Sequence, residues 1–290
     1  MHISSDIPSP WFPNDAVRAA ELIAEADAIV IAAGAGLGVD SGLPDFQGHE
    51  DFWRAYPASD RANFEFMDVA SPKTLSGDPT LAWGFFGHSL SLYRRTKPHE
   101  GFGILRKWAD RAYLGSRIFT SNVDGQFQKA GFAANQMHEC HGSIHHLQCM
   151  KPCWSGVWRA DDFSPKLADE NCRLLNDPPR CPVCGGLARP NILLFGDSTW
   201  LSERRERQRS REERWFERLV AIEANAVVIE IGAGTARPYV RHFSESVSWK
   251  YGARLIRIDP RECQVPNSSD VGIAAGALEA LVAIDSLFAK

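Results

Sequence analysis

Four of the seven cysteines stand in two close pairs, a spacing that is typical of a metal site. The pairs are Cys149 with Cys153 and Cys181 with Cys184, and residues 154–180 separate them. Four thiolates in this pattern can close a tetrahedral zinc site, which is structural because it leaves no position for substrate. The alternative is four unligated thiols in a proline-rich loop. We favour zinc, because a segment so poor in apolar residues needs a clamp in order to fold.

A glycine-rich turn follows an apolar run near the amino terminus. The apolar run is AIVI at residues 28–31, and the turn reads GAGLG from Gly34 to Gly38. Glycine lets a backbone approach phosphate oxygens closely and leaves N–H groups free to donate to them. A strand, a glycine-rich turn and a helix are typical of a dinucleotide-binding unit. Alone, the turn is weak evidence, since glycines also form ordinary tight turns.

His141 is the candidate general base. A neutral imidazole has a pKa of about 6.5, so near neutral pH it can accept a proton from a sugar hydroxyl. Taken alone, a histidine followed by glycine is more often an ordinary polar loop residue. Its neighbours His138, His145 and His146 illustrate how little one histidine proves. The case for His141 therefore depends on the motifs around it.

The elements that must position these residues alternate between strands and helices. The candidate buried strands are short apolar runs, at residues 28–31, 117–120, 191–195, 226–231 and 254–258. Helical stretches separate most of them, notably residues 98–110 and 211–224, and a last helix covers residues 274–288. This alternation predicts an α/β fold with a doubly wound parallel sheet, covered by helices on both faces.

Two stretches interrupt the alternation and predict a smaller lobe. Residues 50–97 are rich in Trp and Phe and indicate a helical insertion. Residues 143–188 hold the paired cysteines and indicate a zinc-binding module. We assign residues 14–49, 98–142 and 189–290 to a Rossmann-like dinucleotide-binding domain.

The glycine turn is followed by SGLPDF at residues 41–46, and this stretch resembles the first signature of the sirtuin family. Further resemblances recur in the family's order along nearly the whole chain. They are TSNVD at 120–124, His141 followed by glycine, the cysteine pairs, RPNILLFGD at 189–197, IGAGT at 231–235, and Ile258 with Asp259. Recurrence in order makes the set specific, although each motif alone is weak.

The resemblance implies an NAD-dependent protein-lysine deacylase that releases nicotinamide and O-acyl-ADP-ribose, with NAD as co-substrate and a structural zinc. It implies His141 and Asn122 as catalytic residues. The residues that it implies for NAD binding are Gly34, Ala35, Gly36, Asp45, Phe46, Gln47, Ser121, Asn122, Val123, Asp124, Gly232, Ala233, Gly234, Thr235 and Asp259. The acylated protein or peptide is implied to bind as an extended strand along Leu193, Phe195 and Gly196.

Several positions depart from the family pattern. Gln47 stands where the family has arginine, Ser121 where it has glutamine, and Gly38 where it has serine. Asp259 replaces an asparagine, and a carboxylate there could accept hydrogen bonds from both ribose hydroxyls of adenosine. The first three changes leave two other hypotheses open: ADP-ribosyl transfer or NAD hydrolysis on the same fold, and a non-catalytic NAD-binding regulator. The catalytic histidine and asparagine weigh against the regulator.

Two positions bear on the acyl group. Sirtuins that prefer negatively charged acyl groups carry a tyrosine and an arginine three residues apart on a helix of the small lobe. Our alignment of residues 79–93 puts Phe86 and Ser89 at these positions. A buried carboxylate without a cation is unfavourable, so we predict neutral acyl groups, acetyl or longer. A shifted alignment would bring in the run YRR at residues 93–95 instead.

The composition is that of an ordinary globular protein of 290 residues, with 44% apolar and 23% charged residues. A net charge of −4 without a basic tail predicts no nucleic-acid partner. Residues 203–218 are rich in arginine but also in glutamate, so we interpret them as a solvated helix. No signal peptide or membrane-spanning run is visible, and we predict a cytoplasmic monomer without a membrane partner.

Overall fold

A computed structural model describes residues 12–44, 70–168 and 173–289. Its main layer is a six-stranded sheet whose neighbouring strands are all parallel. The strands of this sheet are β1 (Ala28–Ala33), β2 (Ser116–Thr120), β3 (Met137–Glu139), β7 (Ala226–Ile231), β8 (Arg254–Ile258) and β9 (Val271–Ile273). Their order in space is β3-β2-β1-β7-β8-β9. The short strands β3 and β9 were not predicted from the sequence, because three residues are too few to show periodicity.

Helices cover both faces of this sheet. The α-helices are α1 (Phe12–Ala24), α2 (Pro72–Gly77), α3 (Pro79–Arg95), α4 (Glu100–Arg111), α5 (Gln126–Lys129), α6 (Glu203–Ala221), α7 (Tyr239–Tyr251) and α8 (Ala277–Asp285). Short 3-10 helices span Ala35–Ser41, Ala134–Gln136 and Ser286–Ala289. Helices α1, α4 and α8 pack in the core on one face, while α6 and α7 pack on the other. The predicted doubly wound fold is confirmed.

The central strands are buried along their whole length, because both of their faces are covered. Every residue of β1 and β7 is buried, and the one charged side chain among them, Glu230, forms an ion pair with Arg257 of β8. From β1 the chain steps outward to β2 and β3, and later continues on the other side with β7. The crevice beside the carboxyl ends of β1 and β7 is therefore the switch point where doubly wound sheets bind ligands.

A second sheet of three antiparallel strands belongs to the smaller lobe. Its strands are β4 (Gly142–Cys149), β5 (Val157–Arg159) and β6 (Ala188–Ile192), in the order β5-β4-β6. The prediction that residues 191–195 form a strand of the parallel sheet is wrong, because β6 ends at Ile192 and pairs with β4. An apolar run indicates burial but does not indicate which sheet buries it. The domain boundary predicted at residue 189 crosses this small sheet and stays a prediction.

Helices α2 and α3 pack against the small sheet and share its core. Both begin with a side-chain cap: Ser71 Oγ accepts from Thr74 N–H, and Asp78 Oδ1 accepts from Leu81 N–H. Trp83 of α3 is fully buried, and its Nε1 donates to the carbonyl of Ala188 at 3.1 Å. These contacts tie α3 to β6. Within the described ranges, no helix combines the length and apolarity needed to cross a bilayer.

Candidate functional site

A cavity of about 730 Å³ opens where β1, β2 and β7 end, and we call it the glycine-lined cavity. Ten of the residues predicted to bind NAD line it, together with the predicted base His141. The ten are Gly34, Ala35, Ser121, Asn122, Val123, Asp124, Gly232, Ala233, Gly234 and Thr235. Its volume lies in the range of ligand sites. Residues far apart in the chain therefore meet at the carboxyl edge of the sheet.

The floor of this cavity is two glycine segments in direct backbone contact. A Cβ added at Gly34 would lie 2.4 Å from the carbonyl oxygen of Gly232, and one added at Gly36 would lie 2.7 Å from its Cα. The Gly36 N–H donates to the Gly232 carbonyl at 3.1 Å. Gly36 itself does not line the cavity. The close packing of the two segments is therefore sufficient reason for a glycine at this position, without any contact to a phosphate.

Asn122 is held in place by the end of β1. Its Nδ2 donates to the carbonyl of Gly34 at 3.0 Å, and its N–H donates to Thr120 Oγ1 at 3.0 Å. Thr120 Oγ1 in turn donates to the carbonyl of Ala33 at 2.9 Å. The side chain therefore sits in one defined orientation beside the glycine turn, as positioning of a reactive group requires.

Asp124 also lines this cavity, and it is buried. Burial is the largest influence on its carboxyl and raises its pKa to about 6, and the charge of Glu139 acts in the same direction. The N–H of Gln126 donates to Asp124 Oδ1 at 2.8 Å and opposes the shift. Asp124 therefore exchanges its proton within about one pH unit of neutrality.

His141 lies between β3 and β4, where the chain crosses from the parallel sheet to the small sheet. Gly142 follows it with φ +84°, and a Cβ there would lie 2.1 Å from the carbonyl oxygen of Asn191. Burial lowers the pKa of His141, while a hydrogen bond to the backbone of Ser121 opposes this shift. The ring meets Tyr239 edge to face, with centroids 4.9 Å apart. A lowered pKa keeps the imidazole neutral and able to accept a proton at neutral pH.

A second cavity of about 470 Å³ adjoins the first, and we call it the apolar cavity. The predicted substrate residues Leu193, Phe195 and Gly196 line it. Helix α3 contributes the opposite wall, which includes Phe86 and Ser89. Four residues line both cavities: Tyr93, Val123, His141 and Arg237. The imidazole therefore stands at the junction of a glycine-lined space and an apolar one.

The segment that forms one wall of the apolar cavity is held by a buried ion pair. Arg189 Nη2 contacts Asp197 Oδ2 at 2.5 Å, and neither side chain is exposed to solvent. Burial raises the pKa of Asp197, but the hydrogen bond and charge of Arg189 outweigh it, so the pKa is lowered. In the same segment, the ring of Phe195 is covered by the Arg237 guanidinium, which lies 4.7 Å from its centre.

The four predicted zinc ligands come together in the small lobe. The Sγ atoms of Cys149, Cys153, Cys181 and Cys184 all lie within 4.8 Å of one another. The separations Cys149–Cys184 and Cys153–Cys181 are each 3.7 Å. Four thiolates about 2.3 Å from a tetrahedral zinc are about 3.8 Å apart, so the cluster fits this ion. Two separate backbone turns supply the ligands, which explains how the zinc holds the lobe together.

Some predicted residues are not part of the cavity that the structure describes. Asp45, Phe46 and Gln47 lie outside the described residues. Asp259 is buried, and its Oδ1 accepts from the N–H groups of Arg261 and Glu262 at 2.9 and 2.8 Å. Asp259 does not line the glycine-lined cavity. Its predicted contact with a ribose stays a prediction.

Several residues that line the glycine-lined cavity were not among those predicted to bind NAD. They are Leu43, Pro44, Tyr93, Ala236, Arg237, Val240, Arg261 and Glu262. Glu262 accepts from Thr235 through both of its carboxylate oxygens, at 2.8 Å from N and 2.6 Å from Oγ1. These two hydrogen bonds join the segments that follow β7 and β8, and no local sequence pattern predicts them. The pattern IGAGT did indicate the segment around Thr235, and a search of the residues just after β8 could have found Glu262.

Comparisons with known proteins agree with this geometry. The model of the Sir2 family matches residues 34–229. An NAD-dependent protein deacylase of Aquifex aeolicus is 27% identical over 244 residues, which cover 84% of this chain and 87% of that protein. NAD-dependent protein deacylase 2 of Pyrobaculum aerophilum is 27% identical over 266 residues, covering 91% and 92%.

Solved structures show the same fold. A Sir2 homologue mutant in complex with ADP-ribose superposes with a TM-score of 0.68 at 21% identity, and the match covers 94% of this chain and 97% of that one. Because the family model spans more than half of the sequence, the chain belongs to the Sir2 family.

Proposed function

We propose that this protein removes acyl groups from protein lysine side chains with NAD as co-substrate, releasing nicotinamide and O-acyl-ADP-ribose. The observation that carries the proposal is the position of His141, which lines both the glycine-lined and the apolar cavity. A base at that junction can reach a sugar in one cavity and an acyl group in the other. The names of the relatives, NAD-dependent protein deacylases, support the same activity.

In this proposal the glycine-lined cavity holds NAD, which supplies an electrophilic ribose carbon with nicotinamide as leaving group. The backbone around Gly34 and Gly232 offers no side chain to obstruct a diphosphate. Asn122 and Asp124 line the space from the segment after β2, and Gly234 and Thr235 line it from the segment after β7. We assign the nicotinamide-bearing ribose to the side of Asn122, because the N–H of Cys140, next to His141, donates to the carbonyl of Thr120 at 3.0 Å.

His141 acts as the general base. Its lowered pKa keeps it neutral, so it can accept the proton of a ribose hydroxyl. The acyl oxygen displaces nicotinamide at the ribose carbon while the acyl carbon is still bonded to the lysine nitrogen. The deprotonated ribose oxygen then attacks the acyl carbon, and the lysine amine leaves as water completes acyl transfer to ADP-ribose. The edge-to-face contact with the Tyr239 ring helps to position the imidazole. Removing such a base reduces rates by about 10²- to 10⁴-fold.

The acylated lysine enters through the apolar cavity, and its peptide binds as an extended strand along residues 193–196. Leu193 and Phe195 expose part of their side chains there, and the Leu193 N–H already donates to the His141 carbonyl at 3.0 Å. The wall formed by Phe86 and Ser89 carries no cation, which supports neutral acyl groups. A cytoplasmic location and a monomeric state remain our predictions from the sequence.

The test is incubation of the protein with NAD, with and without an acetyl-lysine peptide, followed by quantification of nicotinamide and O-acetyl-ADP-ribose. We expect nicotinamide release that depends on the peptide, in equal amount to the acyl product. Release without peptide would instead identify NAD hydrolysis or ADP-ribosyl transfer, and no release would identify a regulator. The variant His141→Ala should lose deacylation while keeping its zinc and its thermal unfolding temperature. A fully active H141A protein would remove the basis of the proposal.

The acyl preference has its own test. Acetyl, butyryl and succinyl versions of one peptide should give the lowest kcat/KM for the succinyl version, since the wall at Phe86 and Ser89 offers no cation and the Arg237 guanidinium is stacked on Phe195. The double variant Phe86→Tyr with Ser89→Arg should raise the succinyl-to-acetyl ratio by about tenfold, as a charge-assisted pair would. The matched control is Phe85→Tyr, a neighbouring position of the same wall. A wild-type protein that prefers the succinyl peptide would contradict our alignment of residues 79–93.

A further inference from the structure

A third cavity, of about 440 Å³, lies behind the loop that carries Asn122 and Asp124. Its most frequent lining residues are cations, so we call it the arginine cavity. Six cations from three helices and one strand line it, and they are Arg94, Lys129, Arg159, Arg204, Arg207 and Arg211. No residue of this cavity has a part in the proposed deacylation.

Two of these cations are held by neutral groups. Arg94 Nη1 and Nη2 donate to the carbonyls of Phe163 and Ala160, each at 2.6 Å. Lys129 Nζ donates to three carbonyls, at 2.5 to 2.7 Å. Carbonyl oxygens fix the position of a cation without cancelling its charge. Both side chains are therefore positioned while their charge stays available to a ligand.

The carboxylates near the cavity are too few to balance it. Asp161 lines the cavity and pairs with Arg159 at 2.6 Å, and buried Glu139 pairs with Arg204. In the ranges 12–44, 70–168 and 173–289, no carboxylate pairs with Arg207 or Arg211. Burial, followed by the charges of Arg207, Arg204 and Arg214, lowers the pKa of Arg211. The close approach of these positive charges is unfavourable, and a bound anion would offset their repulsion.

Helix α6 shows how this concentration of charge arises from a sequence with balanced signs. Arg204, Arg207 and Arg211 are three and four residues apart and so share one face of the helix. On a different face, Arg209 pairs with Glu206 at 2.9 Å and with Glu213 at 3.7 Å. The interpretation of residues 203–218 as a uniformly solvated helix is therefore incomplete. On one face of the helix, arginine and glutamate charges neutralise each other. On the other face, the arginines line the cavity.

The geometry points to the arginine cavity as a binding site for a small compound with two or more linked phosphate groups. Guanidinium groups bind phosphate through paired hydrogen bonds, and convergent arginines suit several adjacent negative charges. The volume fits a small molecule. A single-stranded nucleic acid is disfavoured, because no Phe, Trp or Tyr among the described residues lines the cavity and the chain carries a net charge of −4.

The arginine cavity shares a wall with the proposed active site. His145 lines it, and His145 Nε2 forms a hydrogen bond of 2.8 Å with the carbonyl of Asp124. Gly125 lines it too, and a Cβ there would lie 2.8 Å from the His145 ring. A phosphate compound would thus bind one residue away from Asp124, which faces the glycine-lined cavity. This inference goes beyond the proposed function and does not depend on it.

The test is isothermal titration of the full-length protein with inorganic tripolyphosphate, without NAD or peptide. The test variant is Arg207→Gln with Arg211→Gln. The matched control is Arg214→Gln with Arg218→Gln, which removes the same charge from the same helix outside the cavity. We expect saturable binding that weakens with added salt and falls about tenfold or more in the test variant, with little change in the control. Thermal unfolding of both variants shows whether they remain folded.

A parallel titration with ATP identifies the source of the phosphates. Tighter binding of ATP than of tripolyphosphate would indicate a nucleotide, and the reverse would indicate an inorganic phosphate chain. Either result supports the site if the test variant weakens binding of that compound. Three results would overturn the inference: no saturable binding by wild type, equal weakening in both double variants, or tighter binding of a single-stranded oligonucleotide that both double variants abolish. Since none of these titrations measures deacylation, failure here leaves the proposed function untouched.

Discussion

The glycine-lined cavity and the apolar cavity meet at one imidazole, but they are built in opposite ways. Backbone forms the floor of the first, where Gly34 and Gly232 approach so closely that neither position has room for a Cβ. Side chains form the second, and its substrate-facing wall is held by the ion pair of Arg189 with Asp197. A backbone floor tolerates no change, whereas a side-chain wall can be altered one residue at a time. We therefore expect substitutions in the backbone floor to abolish cofactor binding, and substitutions in the side-chain wall to change the acyl preference.

The largest effect should come from Gly232→Ala. The new methyl would lie 2.4 Å from the N atom of Leu37, in a backbone with φ +61°. We expect a loss of more than about 4 kcal/mol in the free energy of unfolding, or no folded protein, measured by urea denaturation. The matched control is Gly252→Ala, with φ +69° and no atom within 4 Å of the new Cβ. It should lose about 1–2 kcal/mol from backbone strain alone. Equal losses in the two variants would show that close approach is not what the floor requires.

The second effect concerns the side-chain wall. Asp197→Asn leaves the Arg189 guanidinium buried without its counter-charge, which should lower the free energy of unfolding by about 3 kcal/mol. In steady-state kinetics, the KM for the acyl peptide should rise while the KM for NAD stays the same. The control is Asp161→Asn, whose ion pair with Arg159 is exposed and should contribute under about 1 kcal/mol. A D197N protein with an altered KM for NAD would show that the two cavities are not independent.

The third effect is a pH dependence of stability at the glycine-lined cavity. Burial raises the pKa of Asp124 from 3.8 to about 6 in the folded protein. Between these values the unfolded chain releases a proton that the folded protein keeps, so stability is lost as pH rises from about 4 to 6. Asp124→Asn keeps the Gln126 contact and removes the titration, so its stability relative to wild type should increase by about 2 kcal/mol over that range. Urea midpoints at pH 4, 5, 6 and 7 provide the measurement, and a constant difference would contradict it.

The smallest effect is on the acid limb of the rate profile. Because burial lowers the pKa of His141, its neutral form persists to lower pH than that of an ordinary histidine. The value of kcat/KM should therefore fall only at a pH below about 6.5 as the solution is acidified. A limb centred above that value would mean that the imidazole is not shielded at the junction of the cavities. The same profile in Tyr239→Phe, which keeps the ring contact, is the control.

The parts of the fold that the sequence predicts well are those with a local signature. The continuous apolar runs of β1, β7 and β8 indicate strands buried on both faces, and the structure confirms them. The spacing of the cysteine pairs indicates a four-thiolate cluster, which the structure brings together. The run at residues 191–195 was assigned to the wrong sheet, because strand pairing is a long-range property. For the same reason, no local pattern predicted Glu262 as a lining residue.

The order of motifs along the chain was enough to determine the family, the central strands, the metal ligands and most of the residues that surround the glycine-lined cavity. These features follow from residue types at short spacings, which constrain the chain locally. Only the tertiary structure decided that Gly36 packs on Gly232, that His141 belongs to two cavities, and that the arginines of α6 converge while its glutamates turn elsewhere. Each of these depends on the distance between segments far apart in the chain, which is set by packing and not by sequence spacing.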